Sequence, residues 1–131
     1  MTYTPTEQAN IQVIRKTIEL EAARDWEAVY SLVTPDCVTY MGETVPRGAE
    51  EMKAYDARFF PLFTSTARTI LDIAADGDAV VFRWRADATL AKDGRAISWE
   101  GVSWCLIREG QVAEGRIYVD SAEVQRQLAG K

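Results

Sequence analysis

The 131 residues of this chain include no histidine, and this absence limits the chemistry that its side chains can perform. Histidine is the commonest general base and metal ligand, and it activates serine and cysteine nucleophiles. Any proton transfer therefore falls to aspartate, glutamate, tyrosine, lysine, cysteine or an ordered water.

The two cysteines, Cys37 and Cys105, do not form a disulfide framework, and no spacing in the sequence is typical of a metal site. We expect both to be reduced thiols in the core of a cytoplasmic protein. The sequence thus predicts neither a metal nor any other cofactor.

The charge of the chain also excludes partners. The formal net charge is −5, and lysine and arginine are not clustered. Nucleic acid and anionic membranes recruit basic surfaces, so we expect neither as a partner. The first five residues do not resemble a signal peptide, and no apolar run approaches the ~20 residues of a membrane span.

Three consecutive strands form the scaffold on which a functional site would be built. Alternating apolar residues predict strands at 79–90, 96–107 and 112–120. Tight turns at Asp93-Gly94 and Glu109-Gly110 join them, since glycine supplies the positive φ that such turns need.

Side chains alternate between the faces of a strand, so Phe82 and Trp84 share an apolar face that Arg83 and Arg85 do not. The strand at 96–107 carries a tryptophan on each face. Trp104 would be unusual on a wet surface. We therefore expect the charged face to be covered by a second subunit in a homodimer.

The remaining segments complete an α+β chain. Apolar stripes and turn residues predict helices and strands in the order α-α-β-α-β-β-β-β-α, in a single domain over residues 1–131. The further elements are helices at 6–24, 26–33 (ended by Pro35), 49–63 (kinked by Pro61) and 121–128, strands at 37–41 and 66–75, and a loop at 42–48.

This order resembles the cone-shaped fold of the nuclear transport factor 2-like superfamily, and within it the SnoaL-like domain. Residues 25–38 resemble the family's passage into its first strand, and residues 46–50 resemble the start of its third helix. Residues 109–120 resemble its last strand and are the most specific match. The resemblance implies three helices in the N-terminal half, a curved, mainly antiparallel sheet and a short C-terminal helix.

The superfamily includes polyketide cyclases, ketosteroid isomerases, epoxide hydrolases, dehydratases and plain binding domains, and fold alone does not choose among them. The isomerase base and oxyanion donors fall on Met41, Thr17 and Val102, which excludes that activity. Scytalone-type dehydratases need histidine, which is absent.

Limonene-type epoxide hydrolases remain a lesser alternative. They use an Asp-Arg-Asp set, and Arg85-Ala86-Asp87 has the Arg-x-Asp spelling. The second aspartate of the set falls on Ile117, however. Strand parity also places Arg85 and Asp87 opposite the apolar face.

Asp120 matches the aspartate that ends the family's last strand. In polyketide cyclases of this kind an aspartate in that neighbourhood transfers protons, so the resemblance implies a catalytic role for Asp120. An aspartate between a strand and a helix also caps helices routinely, and the sequence leaves both roles open.

The fold would enclose a pocket between the helices and the apolar side of the sheet. Two of the candidate substrate-binding residues carry hydroxyl groups that could orient a carbonyl ligand, and the others either line the pocket or fill the core. These residues are Thr39, Met41, Phe59, Trp84, Trp99, Ser103 and Ile117.

Two functions from different classes are therefore predicted. One is a cofactor-free cyclase, isomerase or hydrolase acting on a hydrophobic polyketide-, terpene- or steroid-like compound. The other is a non-catalytic ligand-binding or dimeric scaffold domain, which the lost catalytic positions at Met41, Val102 and Ile117 favour.

Overall fold

The chain forms the α+β architecture that the sequence predicts. The computed structural model describes residues 2–42 and 45–130. In chain order the elements are α1 (Pro5–Ala22), α2 (Trp26–Ser31), β1 (Val33–Met41), β2 (Arg47–Gly48), α3 (Ala49–Phe59), a 3-10 turn (Phe60–Leu62), β3 (Phe63–Asp76), β4 (Ala79–Leu90), β5 (Ala96–Arg108), β6 (Gln111–Val119) and α4 (Ser121–Leu128).

The six strands form one sheet in the order β2-β1-β6-β5-β4-β3. Strands β3, β4, β5 and β6 are antiparallel neighbours, whereas β1 runs parallel to β6. The curved sheet is therefore mainly antiparallel, as predicted. One parallel seam joins the first half of the chain to its last strand.

The bounds of β4 and α4 match the sequence prediction, but α1 begins earlier than expected. Thr4, not Thr6, is its N-cap. The Thr4 hydroxyl accepts a hydrogen bond from the Glu7 amide (3.1 Å), and the Glu7 carboxylate accepts one from the Thr4 amide (2.9 Å). This reciprocal pair is a capping box, and Pro5 suits the first helical position.

Pro35 does not end the second helix. The helix α2 stops at Ser31, and Pro35 lies inside β1. The pairing of β1 with β6 is irregular between Val33 and Val38, so a proline without an amide hydrogen is tolerated there. Residues 43 and 44 of the loop predicted at 42–48 lie outside the described residues, and residues 47–48 form β2.

The third helix ends at Phe59, which is one turn sooner than predicted. Pro61 sits in the 3-10 turn that follows, and Phe63 begins β3. Phe63 is 2% exposed and packs with Leu90 and Ile97 instead of extending the helical stripe.

The faces of the sheet follow the predicted parity. Phe82, Trp84 and Ala86 are buried, whereas Arg83 and Arg85 are exposed. Three isoleucines of α1 pack on the apolar face of β4 and β5: Ile11, Ile14 and Ile18. No helix within the described ranges is long and apolar enough to span a membrane.

Candidate functional site

A cavity of about 1000 Å³ lies between the helices and the apolar face of the sheet. Its lining includes all seven of the residues predicted to face a pocket: Thr39, Met41, Phe59, Trp84, Trp99, Ser103 and Ile117. The structure thus brings these side chains around one space. Their role in binding a substrate stays a prediction.

Trp84 is the central side chain of the sheet wall. Its indole N–H donates a 2.9 Å hydrogen bond to the hydroxyl of Ser103 on the neighbouring strand, and both residues are buried. The sequence predicted that Ser103 could orient a carbonyl ligand, and that role stays a prediction. Its hydroxyl fixes the tryptophan, because a buried indole N–H needs a partner.

Gly101 makes the space that Trp84 occupies. A Cβ atom at position 101 would lie 2.4 Å from Cζ2 of Trp84 and 2.8 Å from Cγ1 of Val119. No side chain fits at such distances, so the glycine permits close approach of the indole to the backbone of β5.

A polar corner stands on the helix side of the cavity. We use this name for Glu21 on α1, Tyr30 on α2, Asp56 on α3 and Arg68 on β3, all of which line the cavity. The Tyr30 hydroxyl donates a 2.9 Å hydrogen bond to Oδ2 of Asp56. Four separate elements thus bring ionisable groups to one place.

Arg68 and Glu21 form a two-pronged ion pair in the polar corner. Nε of Arg68 lies 3.0 Å from one Glu21 oxygen, and Nη2 lies 3.2 Å from the other. The two side chains are only 17% and 21% exposed, so the pair is better shielded from water than an ordinary surface pair. The guanidinium also lies 5.0 Å from the ring centroid of Trp84, which links the polar corner to the sheet wall.

The surroundings of Asp56 raise its pKa to about 6. Burial is the main cause and the charge of Glu21 adds to it, while the Tyr30 hydrogen bond and Arg68 act in the opposite direction. Burial and the neighbouring Asp56 together raise the pKa of Tyr30 far above its usual range. Tyr30 is therefore a fixed hydrogen-bond donor, whereas Asp56 can exchange a proton near neutral pH.

The sequence does not predict this corner, although it carries a weak signal of it. Asp56 lies four residues after Met52 and three before Phe59, on the helix face that carries the apolar stripe. A carboxylate on an apolar stripe is expected to be buried, and because buried carboxylates are rare, such a residue indicates a functional role. The partner Tyr30 lies in the helix predicted at 26–33, and nothing in its sequence context points to Asp56.

Asp120 occupies the N-cap of α4. Its Oδ1 accepts a 3.1 Å hydrogen bond from the amide of Glu123, and the residue is exposed. Val119 and Ser121 on either side of it line the cavity, while Asp120 itself is not part of the lining. The structure therefore displays the capping role, and the catalytic role stays a prediction.

The two cysteines are buried free thiols, as the sequence predicts. Burial raises the pKa of Cys37, which lines the cavity, and raises that of Cys105 to about 12. Both thiols are therefore protonated and weakly nucleophilic at neutral pH. Within residues 2–42 and 45–130, no cluster of histidine, cysteine, aspartate or glutamate could hold a metal ion.

The outer face of the sheet carries exposed ion pairs. Arg83 bridges Asp72 (2.8 Å) and Glu100 (3.0 Å), and Arg85 pairs with Asp87 at 3.2 Å. Arg85 and Asp87 thus lie on the opposite side of the sheet from the cavity, as strand parity predicted.

The family model of the SnoaL-like domain matches residues 14–115. A comparison with curated protein sequences gives no match. Solved structures match over nearly the whole chain, and all of the following are below 25% identity, so they report on the fold alone.

One of them is a protein assigned to the SnoaL-like polyketide cyclases of Jannaschia sp. CCS1, which is 20% identical with a TM-score of 0.88 over 100% of this chain and 99% of that one. AclR of Streptomyces galilaeus, assigned as a hydroxylase, is 17% identical with a TM-score of 0.86 over 95% and 98%. IdmH of Streptomyces antibioticus, assigned as a polyketide cyclase, is 22% identical with a TM-score of 0.81 over 92% and 98%.

These proteins share one fold and differ in assigned chemistry, so the side chains of the cavity must identify the activity. The matched segment runs from α1 into β6 and holds all four residues of the polar corner. On its family match and its six-stranded cone, this chain belongs to the SnoaL-like domain family of the nuclear transport factor 2-like superfamily.

Proposed function

We propose that this protein binds a hydrophobic polyketide-, terpene- or steroid-like compound and converts it as a cofactor-independent cyclase or isomerase. The observation that carries the proposal is the cavity of about 1000 Å³, whose apolar sheet wall faces a polar corner. Its volume matches the upper range of small-molecule pockets, and a few polar groups within an apolar lining are typical of ligand sites.

Such a conversion requires only proton transfer and electrostatic stabilisation. The chain has no histidine, and its buried thiols stay protonated. Cyclisation by carbon–carbon bond formation and double-bond isomerisation both need only an acid–base group and a shielded space. The polar corner supplies the first and the cavity supplies the second.

A blocking variant tests whether the cavity binds ligands. Ile117→Trp would fill space in the cavity, whereas Tyr118→Trp places the same side chain on the outer face of the same strand. An anthraquinone, a cyclic terpene and a steroid serve as probes in a thermal-shift assay. At least one probe should raise the melting temperature of the wild type and of Tyr118→Trp but not of Ile117→Trp, because a ligand that binds only the folded form stabilises it.

A non-catalytic binding domain is the alternative, and the apolar residues at Met41 and Ile117 favour it. The two functions separate when the bound probes are incubated with protein and followed by liquid chromatography and mass spectrometry. A new product of unchanged mass, formed without added cofactor, supports the enzyme. Stabilisation without conversion supports the binding domain, and failure of every probe to bind contradicts both.

A limonene-type epoxide hydrolase is the weakest alternative, because Arg85 and Asp87 lie on the outer face with exposed fractions of 52% and 54%. Limonene oxide tests it in the same assay. A product heavier than limonene oxide by the mass of one water molecule would support epoxide hydrolysis.

We further propose that the protein is a homodimer through the outer face. Val102 and Tyr118 are direct neighbours across β5 and β6 and are 38% and 52% exposed, beside the half-buried Trp104. Large apolar groups grouped on one face are typical of association surfaces. Light scattering over a range of concentrations checks it: a mass of one chain throughout would contradict the dimer.

A further inference from the structure

We propose that Asp56 is the catalytic residue that exchanges a proton with the bound compound, and that Tyr30 is its positioning residue. The compound would carry an acidic C–H group next to a carbonyl. This inference rests on the proposed function, and it assigns to the third helix a role that the family resemblance implies for Asp120.

The position of Asp56 is the first argument. Its side chain lines the cavity, and the 2.9 Å hydrogen bond from Tyr30 engages Oδ2. Among the described residues no hydrogen bond reaches Oδ1, so that oxygen is available to a ligand. Asp120, by contrast, is exposed and turned toward the amide of Glu123.

The charges around Asp56 come from every element packed against it. Glu21 of α1 and Arg68 of β3 form their own ion pair, and Tyr30 of α2 donates to the carboxyl. The other ionisable groups of α3 and of the preceding β2 that line the cavity are Arg47, Glu50, Lys53, Tyr55 and Arg58. The positive charge of Arg68 is directed at Glu21 rather than at Asp56, which leaves burial as the dominant influence on the carboxyl.

This balance keeps both protonation states of Asp56 accessible. Its pKa of about 6 lies near the ambient pH at which a general base is most effective. The Tyr30 hydroxyl cannot compete for the proton, since its own pKa is raised far above its usual range. Tyr30 therefore orients the carboxylate without taking part in the transfer.

The proton transfer is balanced without any further reactant. The Asp56 carboxylate takes a proton from the carbon beside the carbonyl, and the electron pair of the broken C–H bond becomes the double bond of an enolate. The protonated Asp56 returns the proton to that carbon or to another position of the enolate. No group is oxidised or reduced.

The layout of the cavity orients such a compound. Trp84, Trp99 and Ile117 offer an apolar wall to a ring system, and the polar corner lies on the helix side. A carbonyl edge directed toward α2 and α3 would bring its neighbouring carbon to Asp56. We therefore infer a substrate with an apolar ring body and one enolisable edge.

The test uses 2-tetralone, a bicyclic ketone with exchangeable hydrogens beside its carbonyl. Binding is followed by thermal shift, and deuterium incorporation from heavy water is followed by proton NMR. The wild type should accelerate exchange over buffer, with a rate that rises through pH ~6. Asp56→Asn should bind the ketone but lose about 10²-fold in exchange rate, the usual contribution of a general base.

Tyr30→Phe separates positioning from mere support of the fold. Loss of the hydrogen bond that lowers the pKa of Asp56 should move the midpoint of the pH–rate profile upward. The same shift should appear when Asp56 is titrated directly by carbon-13 NMR. Asp87→Asn, a change of the same kind on the outer face, is the control that should leave rate and midpoint unchanged.

The outcomes distinguish the two proposals. If 2-tetralone binds and is exchanged equally well by Asp56→Asn, or if exchange is lost in Asp120→Asn instead, the assignment of Asp56 is overturned while the binding function stands. Binding without any exchange by the wild type also overturns it. If 2-tetralone does not bind to the wild type, the proposed function fails for such ketones and the assignment fails with it.

Discussion

The central sheet separates two environments that use the same residue types differently. On the cavity side, Arg68 forms a shielded two-pronged pair with Glu21 and stacks on Trp84. On the outer side, Arg83 bridges Asp72 and Glu100 in the open, with 48% of its side chain exposed. Both are arginine–carboxylate pairs at similar distances, yet water screens only the second effectively.

The difference shows that the contribution of a side chain to the free energy of unfolding depends first on which face of the strand carries it, and only then on its residue type. Trp84 and Arg85 are consecutive in β4, but one is 4% exposed and the other stands on the outer face. Equal substitutions on the two sides should therefore have unequal effects. The predictions at Trp84, Asp56 and Arg83 compare such a pair, whereas the prediction at Gly101 compares two positions on the cavity side.

The largest effect is expected at Trp84. Trp84→Ala leaves a cavity in the core and removes the partner of Ser103, so the free energy of unfolding should fall by about 3–5 kcal/mol. Trp104→Ala, on the outer side of the next strand, should cost clearly less. Urea unfolding followed by circular dichroism measures both, since loss of a tryptophan alters fluorescence. Equal losses would contradict the assignment of faces.

A smaller loss is expected at Gly101. Gly101→Ala forces a methyl group against Trp84 and should lower the free energy of unfolding by about 1–3 kcal/mol, the usual cost of overpacking. Gly115 is also buried in the sheet, but the nearest atom to an added Cβ there is 3.7 Å away, in Thr39. Gly115→Ala should therefore be close to neutral in the same assay, and a comparable loss at both sites would refute the close approach at Gly101.

The pH dependence of stability should distinguish the buried carboxyl from the exposed ones. Asp56 has a pKa of about 6 in the folded chain against an ordinary 3.8, so between these values the folded state binds more protons than the unfolded state. Its contribution to the free energy of unfolding therefore falls as pH rises through that window. Asp56→Asn should remove this part of the slope and be relatively more stable than the wild type above pH ~6.

The measurement is a set of urea midpoints from pH 4 to 7 for wild type and variant, because their difference cancels the slopes of the other carboxyls. Asp87→Asn on the outer face is the matched control and should leave the slope of the wild type in place. An identical slope in Asp56→Asn would show that Asp56 titrates normally.

The smallest effect is expected at Arg83. Because its two ion pairs are exposed and screened by water, Arg83→Ala should change the free energy of unfolding only slightly, and less at high salt. Arg68→Ala should cost more, since it leaves Glu21 shielded and unpaired. A larger loss at Arg83 than at Arg68, measured by urea unfolding in parallel, would reverse the comparison.

Much of the fold is readable from the sequence because its signals are local. The alternation in β4, the Glu109-Gly110 turn with positive φ at both residues and the cap at Asp120 follow from neighbouring residues alone. The errors occur where distant parts of the chain decide. Pro35 continues a strand because β6 lies beside it, and Phe63 leaves its helix for a core formed with Leu90 and Ile97.

The candidate site was only half predictable for the same reason. Its sheet wall follows from the parity of adjacent strands, and all of the predicted lining residues face the cavity. The polar corner is formed by residues 21, 30, 56 and 68 from four elements. No spacing within the sequence predicts that these residues lie close together in the fold. Tertiary structure, not local pattern, creates the environment in which the pKa of Asp56 is raised.

The parallel seam between β1 and β6 has a consequence for how the molecule is made. Of the two strands that pair with β1, the longer one is β6, which lies more than 70 positions later in the chain. Contacts so distant in sequence form late and slowly in folding. During synthesis, β1 cannot pair with β6 until more than 70 further residues have left the ribosome, so the cavity that would receive a ligand closes only after β6 has been made.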